Sequence, residues 1–127
     1  YVWEPLLNAG AKLVWHCDGN YRPLLDDVLA CGVAGLQGFQ RECGMELEWI
    51  VEKRTRGGDP LIIFWPLSVT ETLPYGTPDD VRAEVHRAMA LCRDKAFLTF
   101  FTSNTITPDI PLANIKVYWQ TVLESHW

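Results

Sequence analysis

Apolar residues along this chain fall alternately into short runs and into helical repeats. The run Lys12-Leu13-Val14-Trp15-His16 is too short for a helix and apolar enough for a buried strand, and Gly19 breaks it. Pro23 then suits a first helical turn, Leu24, Leu25, Val28 and Leu29 recur at helical spacing, and Gly32 supplies the stop. Residues 33–37 form a second short run, followed by a helix carrying Met45, Trp49, Ile50 and Lys53 that ends at Gly57-Gly58. Leu61-Ile62-Ile63-Phe64-Trp65 is apolar on both faces, as a strand inside a parallel sheet must be. Thr77-Pro78-Asp79-Asp80 reads as a helix start, with a threonine cap, proline at the first position and acids in the first turn. Val81, Val85, Ala88, Met89 and Cys92 continue that helix. Residues 97–101 make a fourth strand, and Pro111 opens a fourth helix with Leu112, Ile115, Trp119, Val122 and Leu123 on one side. Residues 2–7 read as the end of a helix or a lead-in, stopped at Gly10.

The order is βαβαβαβα at about 30 residues per unit, which predicts a parallel sheet with right-handed crossovers. Loops that follow strands, 66–76 and 102–110, are long, while those that follow helices are short. In barrels the long loops after strands carry the site, and a complete barrel takes roughly 250 residues. The expected fold is therefore one α/β domain over residues 1–127, a (βα)4 half of a TIM (βα)8 barrel. A flavodoxin-like open sheet is the alternative, but no Gly-rich phosphate loop follows the first strand and no receiver-type acidic cluster is present. A half barrel leaves two open strand edges and one uncovered inner face. The expected closure is a two-fold homodimer in which the first and fourth strands pair across the axis.

Composition narrows the partners. An apolar fraction of 48% supports a real core. A net charge of −5 with scattered Lys and Arg argues against nucleic acid. The tightest basic group, Lys53, Arg54 and Arg56, falls at the end of the second helix, where cations suit the helix dipole. No apolar run approaches the roughly 20 residues of a membrane span, and residues 1–10 lack the pattern of a signal peptide. Cys17, Cys31, Cys43 and Cys92 form no CxxC pair, which reads as reduced thiols in a cytoplasmic setting. Tryptophan is abundant, at positions 3, 15, 49, 65, 119 and 127.

Four segments carry a resemblance: His16-Cys17-Asp18-Gly19-Asn20, Gly32-Val33-Ala34-Gly35-Leu36, Gly76-Thr77-Pro78-Asp79-Asp80-Val81 and Pro111-Leu112-Ala113-Asn114-Ile115. In order and spacing they resemble the last four βα units of the uroporphyrinogen decarboxylase-like superfamily, over nearly the whole chain. That superfamily holds the decarboxylase, corrinoid-dependent methyltransferases and cobalamin-independent methionine synthase. The resemblance implies a site at the C-terminal ends of the strands. For the methyltransferases it implies zinc held by an HxC pair and a later Cys. Here Asp18 takes the second ligand position, Ser103 or Asn104 stands where the last Cys would be, and Cys17 points to the opposite face of the strand. No metal and no cofactor are therefore expected. For the decarboxylase the resemblance implies an acidic tetrapyrrole substrate, with key basic and acidic groups supplied by the N-terminal half of the barrel.

His16 and Asp18 are the candidate catalytic pair, since residues two apart on a strand share a face and can share a metal or a proton; an inherited but inactive site is a further reading. The plainer reading is that Asp18 and Asn20 cap the turn and His16 is hydrogen-bonded within it. Asn20, Gln37, Gln40, Glu42, Ser103 and Asn104 are candidate ligand-binding residues at the barrel mouth, where a small molecule would sit. Ser68, Thr70 and Glu71 add polar groups in the third loop. The superfamily places a small residue, usually Gly, where Trp65 stands. Trp65 is therefore expected to point into the barrel interior or its mouth and block the inherited pocket, with Trp15 largely buried against either the helix layer or the interior; the plainer alternative is that both are ordinary core aromatics. Three functions follow: a self-associating half barrel with little catalysis of its own, a superfamily decarboxylase or methyltransferase, and a small-molecule binding module with a Trp-lined cavity.

Overall fold

The four apolar runs become four strands. In a computed structural model, which describes residues 2–125 apart from the side chain of Pro66, they are β1 (Leu13–His16), β2 (Val33–Gln37), β3 (Ile62–Leu67) and β4 (Phe97–Thr102). Tyr1, His126 and Trp127 lie outside the described residues. The strands form one sheet in the order β1-β2-β3-β4, and every neighbouring pair is parallel, as expected. An unreversed order sets this sheet apart from the flavodoxin type, whose order switches at the ligand crevice. No helix among the described residues is long and apolar enough to cross a membrane.

Register decides what each face carries. Trp15, Leu36, Ile63 and Leu98 line up across the four strands, with Trp65 beside Phe100 two residues on. This face meets α2 (Leu25–Ala30), α3 (Leu47–Ile50) and α5 (Pro78–Cys92), and it buries Leu25, Leu29, Phe39, Leu47, Ile50 and Ile63. A second cluster, Leu67, Leu73, Val81, Val85, Ile110 and Tyr118, continues the core under α4 (Thr72–Tyr75) and α6 (Leu112–Glu124). The opposite row is Val14, Gly35, Ile62 and Phe97, followed by Phe64 and Phe101. That face is apolar and uncovered among the described residues: Phe97 is 63% exposed and Phe101 50%. The short helix α1 (Glu4–Asn8) lies at its N-terminal rim, where Leu7, Lys12, Ile62 and Phe97 border a cavity of about 560 Å³.

Two helices differ from the sequence reading. The second was expected from Met45 to Lys53 but shrinks to a 3-10 turn at Arg41–Cys43 and the four residues of α3. Gly44 takes a left-handed φ of 82° between them, and Glu46 at the N-cap makes no side-chain cap. Of the basic trio only Arg54 serves the helix end, donating to the carbonyls of Val51 (2.9 Å) and Lys53 (2.8 Å). Lys53 instead pairs with Asp26 at 2.7 Å and lies over Trp49, while Arg56 reaches Glu4. The fourth helix forms where expected but is rotated: Asn114, Tyr118 and Thr121 are buried, while Leu112, Trp119 and Leu123 are exposed. Asn114 sets that rotation, because its Nδ2 donates to the carbonyls of Leu73 (2.9 Å) and Gly76 (2.8 Å), and a buried amide must be satisfied. The third helix follows its sequence closely. Asp80 N donates to Thr77 Oγ1 at 3.2 Å and Thr77 N to Asp80 Oδ2 at 2.7 Å, a complete capping box.

Candidate functional site

β1 ends at His16 on the uncovered face, and β2 delivers Gln37 beside it in register. The Gln37 amide is oriented by its Nε2, which donates to the Thr102 carbonyl at 3.3 Å. Oε1 therefore faces His16 and accepts a hydrogen bond from Nδ1. Nε2 of the same ring faces Asp18 Oδ1 at 3.3 Å. Asp18 is held from the other side by Asn104, whose Nδ2 donates to Oδ2 at 3.3 Å. The loop after β4 thus closes a polar network onto the loop after β1. A cavity of about 460 Å³ opens here, lined by His16, Gln37, Phe101, Thr102, Asn104 and Ile106 among others.

Gly38 makes the network possible. It has a φ of 89°, and a Cβ there would lie 2.6 Å from the His16 ring and 3.0 Å from Asp18 Oδ1. Only glycine lets the chain pass over the imidazole with that left-handed backbone. Of the remaining candidates Ser103 also borders this cavity, while Asn20 and Gln40 go elsewhere. Asn20 forms a local turn, accepting from Arg22 N at 3.1 Å, so the capping reading holds for it and not for Asp18. Gln40 accepts from Cys43 Sγ at 3.9 Å in the following turn. Ser103 is fully buried, and its Oγ accepts from Val69 N at 3.2 Å, tying two loops together.

Trp65 corrects the sequence reading most sharply. It is buried as expected, but on the helix-covered face, edge-on to Phe39 with ring centroids 6.1 Å apart. The ladder places it in phase with Ile63 and out of phase with Ile62 and Phe64, so it neither enters the uncovered face nor blocks the mouth. Trp15 lies on the same covered side, half-buried against Tyr21 at 4.6 Å. No tryptophan among the described residues lines the cavity beside His16, while Trp119 borders a separate groove beside β4.

Glu42 belongs to a second polar group around the third loop. Its Oε1 accepts from the hydroxyls of Ser68 and, at 2.8 Å, Thr70. Desolvation pushes its carboxyl up, but these hydroxyls, its own backbone amide and Arg41 outweigh that and leave it below the ordinary value. Glu84, absent from the sequence reading, behaves oppositely. Burial pushes its carboxyl up and the nearby Glu42 adds to this, against a hydrogen bond from Thr72 and the charges of Arg87 and Arg41. A carboxyl raised in the folded state contributes stability at pH values below the ordinary glutamate range, about pH 4, and loses it as pH rises through the raised value. Glu84→Gln is therefore expected to be more stable than the parent at pH 7, with the difference shrinking on acidification. Thermal unfolding of both proteins at pH 7 and pH 4 checks this, and a parent that is the more stable at pH 7 contradicts it.

The chain matches no protein-family model, no curated protein and no solved structure. Among the described residues no group of three or more His, Cys, Asp or Glu side chains gathers to hold a metal ion. What the mouth brings together is an imidazole and a carboxylate 3.3 Å apart beside an apolar floor, with amide groups of Gln37 and Asn104 at hand.

Proposed function

We propose that this chain is one half of a (βα)8 barrel of the uroporphyrinogen decarboxylase-like type and that its function is assembly. A second four-stranded half closes it, and that half is a second copy of the chain related by a two-fold axis. The supporting observation is the sheet itself. It is parallel in the order β1-β2-β3-β4, helices cover one face, and an apolar row of Val14, Ile62, Phe64, Phe97 and Phe101 lies on the other. Both outer strands pair on one side only among the described residues. Phe97 N and Ser103 N donate to the Leu61 and Leu67 carbonyls, so the backbone groups of Leu98 and Phe100 turn to the free edge. Cys17 N donates to Gln37 O, so those of Val14 and His16 do likewise at β1. Unpaired edges and a bare apolar face are unfavourable in water, and mutual pairing removes both. Multi-angle light scattering at micromolar concentration is expected to show a species of twice the 14.5 kDa chain mass. A 14.5 kDa species alone overturns the reading.

A second reading draws on a different observation. His16, Asp18, Gln37 and Asn104 converge at the C-terminal ends of the strands, the face where barrel enzymes carry their sites. On this reading the chain belongs to a superfamily decarboxylase or corrinoid-dependent methyltransferase, and the completing half supplies the rest of the site. Release of CO2 from an acidic tetrapyrrole by the assembled protein, lost in His16→Ala, would favour it over assembly alone.

A further inference from the structure

The fourth helix carries more apolar surface than the sheet beneath it uses. α6 turns Asn114, Tyr118 and Thr121 inward, and Tyr118 Oη donates to the Phe101 carbonyl at 2.8 Å, anchoring the helix over β4. The apolar stripe that its sequence repeats is displaced to the flank: Trp119 is 58% exposed and Leu123 73%, with Val122 half-buried. Below that flank, along the free edge of β4, runs an apolar groove of about 310 Å³ lined by Phe100, Phe101, Ile106, Tyr118, Trp119 and Val122. In right-handed parallel crossovers a helix bridges the seam between its own strand and the next. α6 has its own strand, but among the described residues no further strand lies beyond β4.

The chain holds the complement of this groove at its other end. β1 is the first strand of the sheet, and no helix of a preceding unit covers its outer flank among the described residues. On its helix-facing side it carries Trp15, large, apolar and only half-buried, and two residues earlier stands the half-buried Leu13. Among the described residues, one end of the sheet thus has a helix with no strand beneath its outer flank, and the other a strand with no helix above its outer flank.

We infer that the groove between β4 and α6 is the socket for β1 of a second copy of this chain. Leu13 and Trp15 of that copy fill it from the sheet side while Val14 and His16 pair with the β4 edge. The arrangement is self-complementary, so one two-fold seats both sockets. This inference rests on the dimer proposed above and specifies which side chains meet at its seam. Trp119 becomes the lid of each socket, a large aromatic at the centre of an apolar contact, the usual character of an interface hot spot.

The test uses the unaltered full chain in a sample mixed from isotope-labelled and unlabelled protein. Intermolecular nuclear Overhauser contacts are expected between Leu13 or Trp15 of one copy and Val122 or Phe100 of the other. A dimer by mass that lacks these contacts overturns the socket and leaves the dimer standing. A chain that stays at 14.5 kDa overturns both. In parallel, Trp119→Ala, at a position exposed in the single chain, is expected to raise the dimer dissociation constant on the order of 30-fold. An unchanged constant also overturns the socket.

Discussion

Trp65→Gly is expected to destabilise the protein by about 3–5 kcal/mol, the range for deleting a large aromatic from a packed core. Trp65 is buried in the helix-covered layer, in one apolar cluster with Phe39, Ile63 and Ala88. Domain stabilities run at about 5–15 kcal/mol, so a loss of this size removes a large part of the total. The cavity opens behind the sheet, on the far side from His16, and the mouth is therefore expected to keep its geometry. Trp65→Phe is the informative companion. The indole Nε1 is buried without a hydrogen-bond partner, so phenylalanine keeps the edge-on contact with Phe39 and discards an unsatisfied donor. Urea unfolding of the three proteins, together with the ring proton shifts of His16, checks both parts. A glycine variant as stable as the parent contradicts the packing, and a large shift at His16 contradicts the side assigned to Trp65.

A charge on the uncovered face is expected to abolish assembly while sparing the fold. Phe97 is exposed in the single chain, so Phe97→Asp is a surface substitution there, worth within about 0.5 kcal/mol. In a closed barrel the same position lies in the interior, and the two-fold places two carboxylates there. An unpaired carboxylate out of water costs several kcal/mol after relaxation, and each 1.4 kcal/mol is about tenfold in affinity. The dimer dissociation constant should therefore rise by about a thousandfold or more. Phe101→Asp, nearer the mouth and against Phe64, should act in the same direction. Sedimentation of the variants checks the loss, and circular dichroism checks that the monomer remains folded. A charged variant that still dimerises with parental affinity means that this face is not buried by the partner.

The sequence shows the elements more clearly than their faces. All four strands are visible as short apolar runs, and the Thr77-Pro78-Asp79-Asp80 start is visible because capping is local chemistry between residues three apart. The face of β3 is not visible, because Ile62, Ile63, Phe64 and Trp65 are all apolar and alternation gives no phase. Pairing with Leu36 and Leu98 sets that phase, and such pairing is a long-range property. The rotation of α6 escapes for a related reason. A wide apolar surface lets several helix faces compete, and Asn114 decides between them through the carbonyls of Leu73 in α4 and Gly76 at its end, some forty residues earlier. At the mouth, His16 and Asp18 follow from their spacing, and Gln37 from its place at a strand end. Asn104 joins Asp18 from 86 residues away, and the role of Gly38 depends on a close approach that only coordinates reveal. Glu84 reads as an ordinary polar position on a helix, and its burial comes from packing against the third loop.

The most direct measurement of closure is backbone amide exchange at the two outer strands. The amides of Val14 and His16 on β1, and of Leu98 and Phe100 on β4, point away from the sheet and find no partner within one chain's ladder. If two copies pair β1 with β4 to complete an eight-stranded barrel, these four amides are expected to exchange as slowly as that of Ile63 in the middle of the sheet. If they exchange at the rate of the open loops while Ile63 stays protected, the edges are free and the chain does not close into a barrel with a second copy of itself.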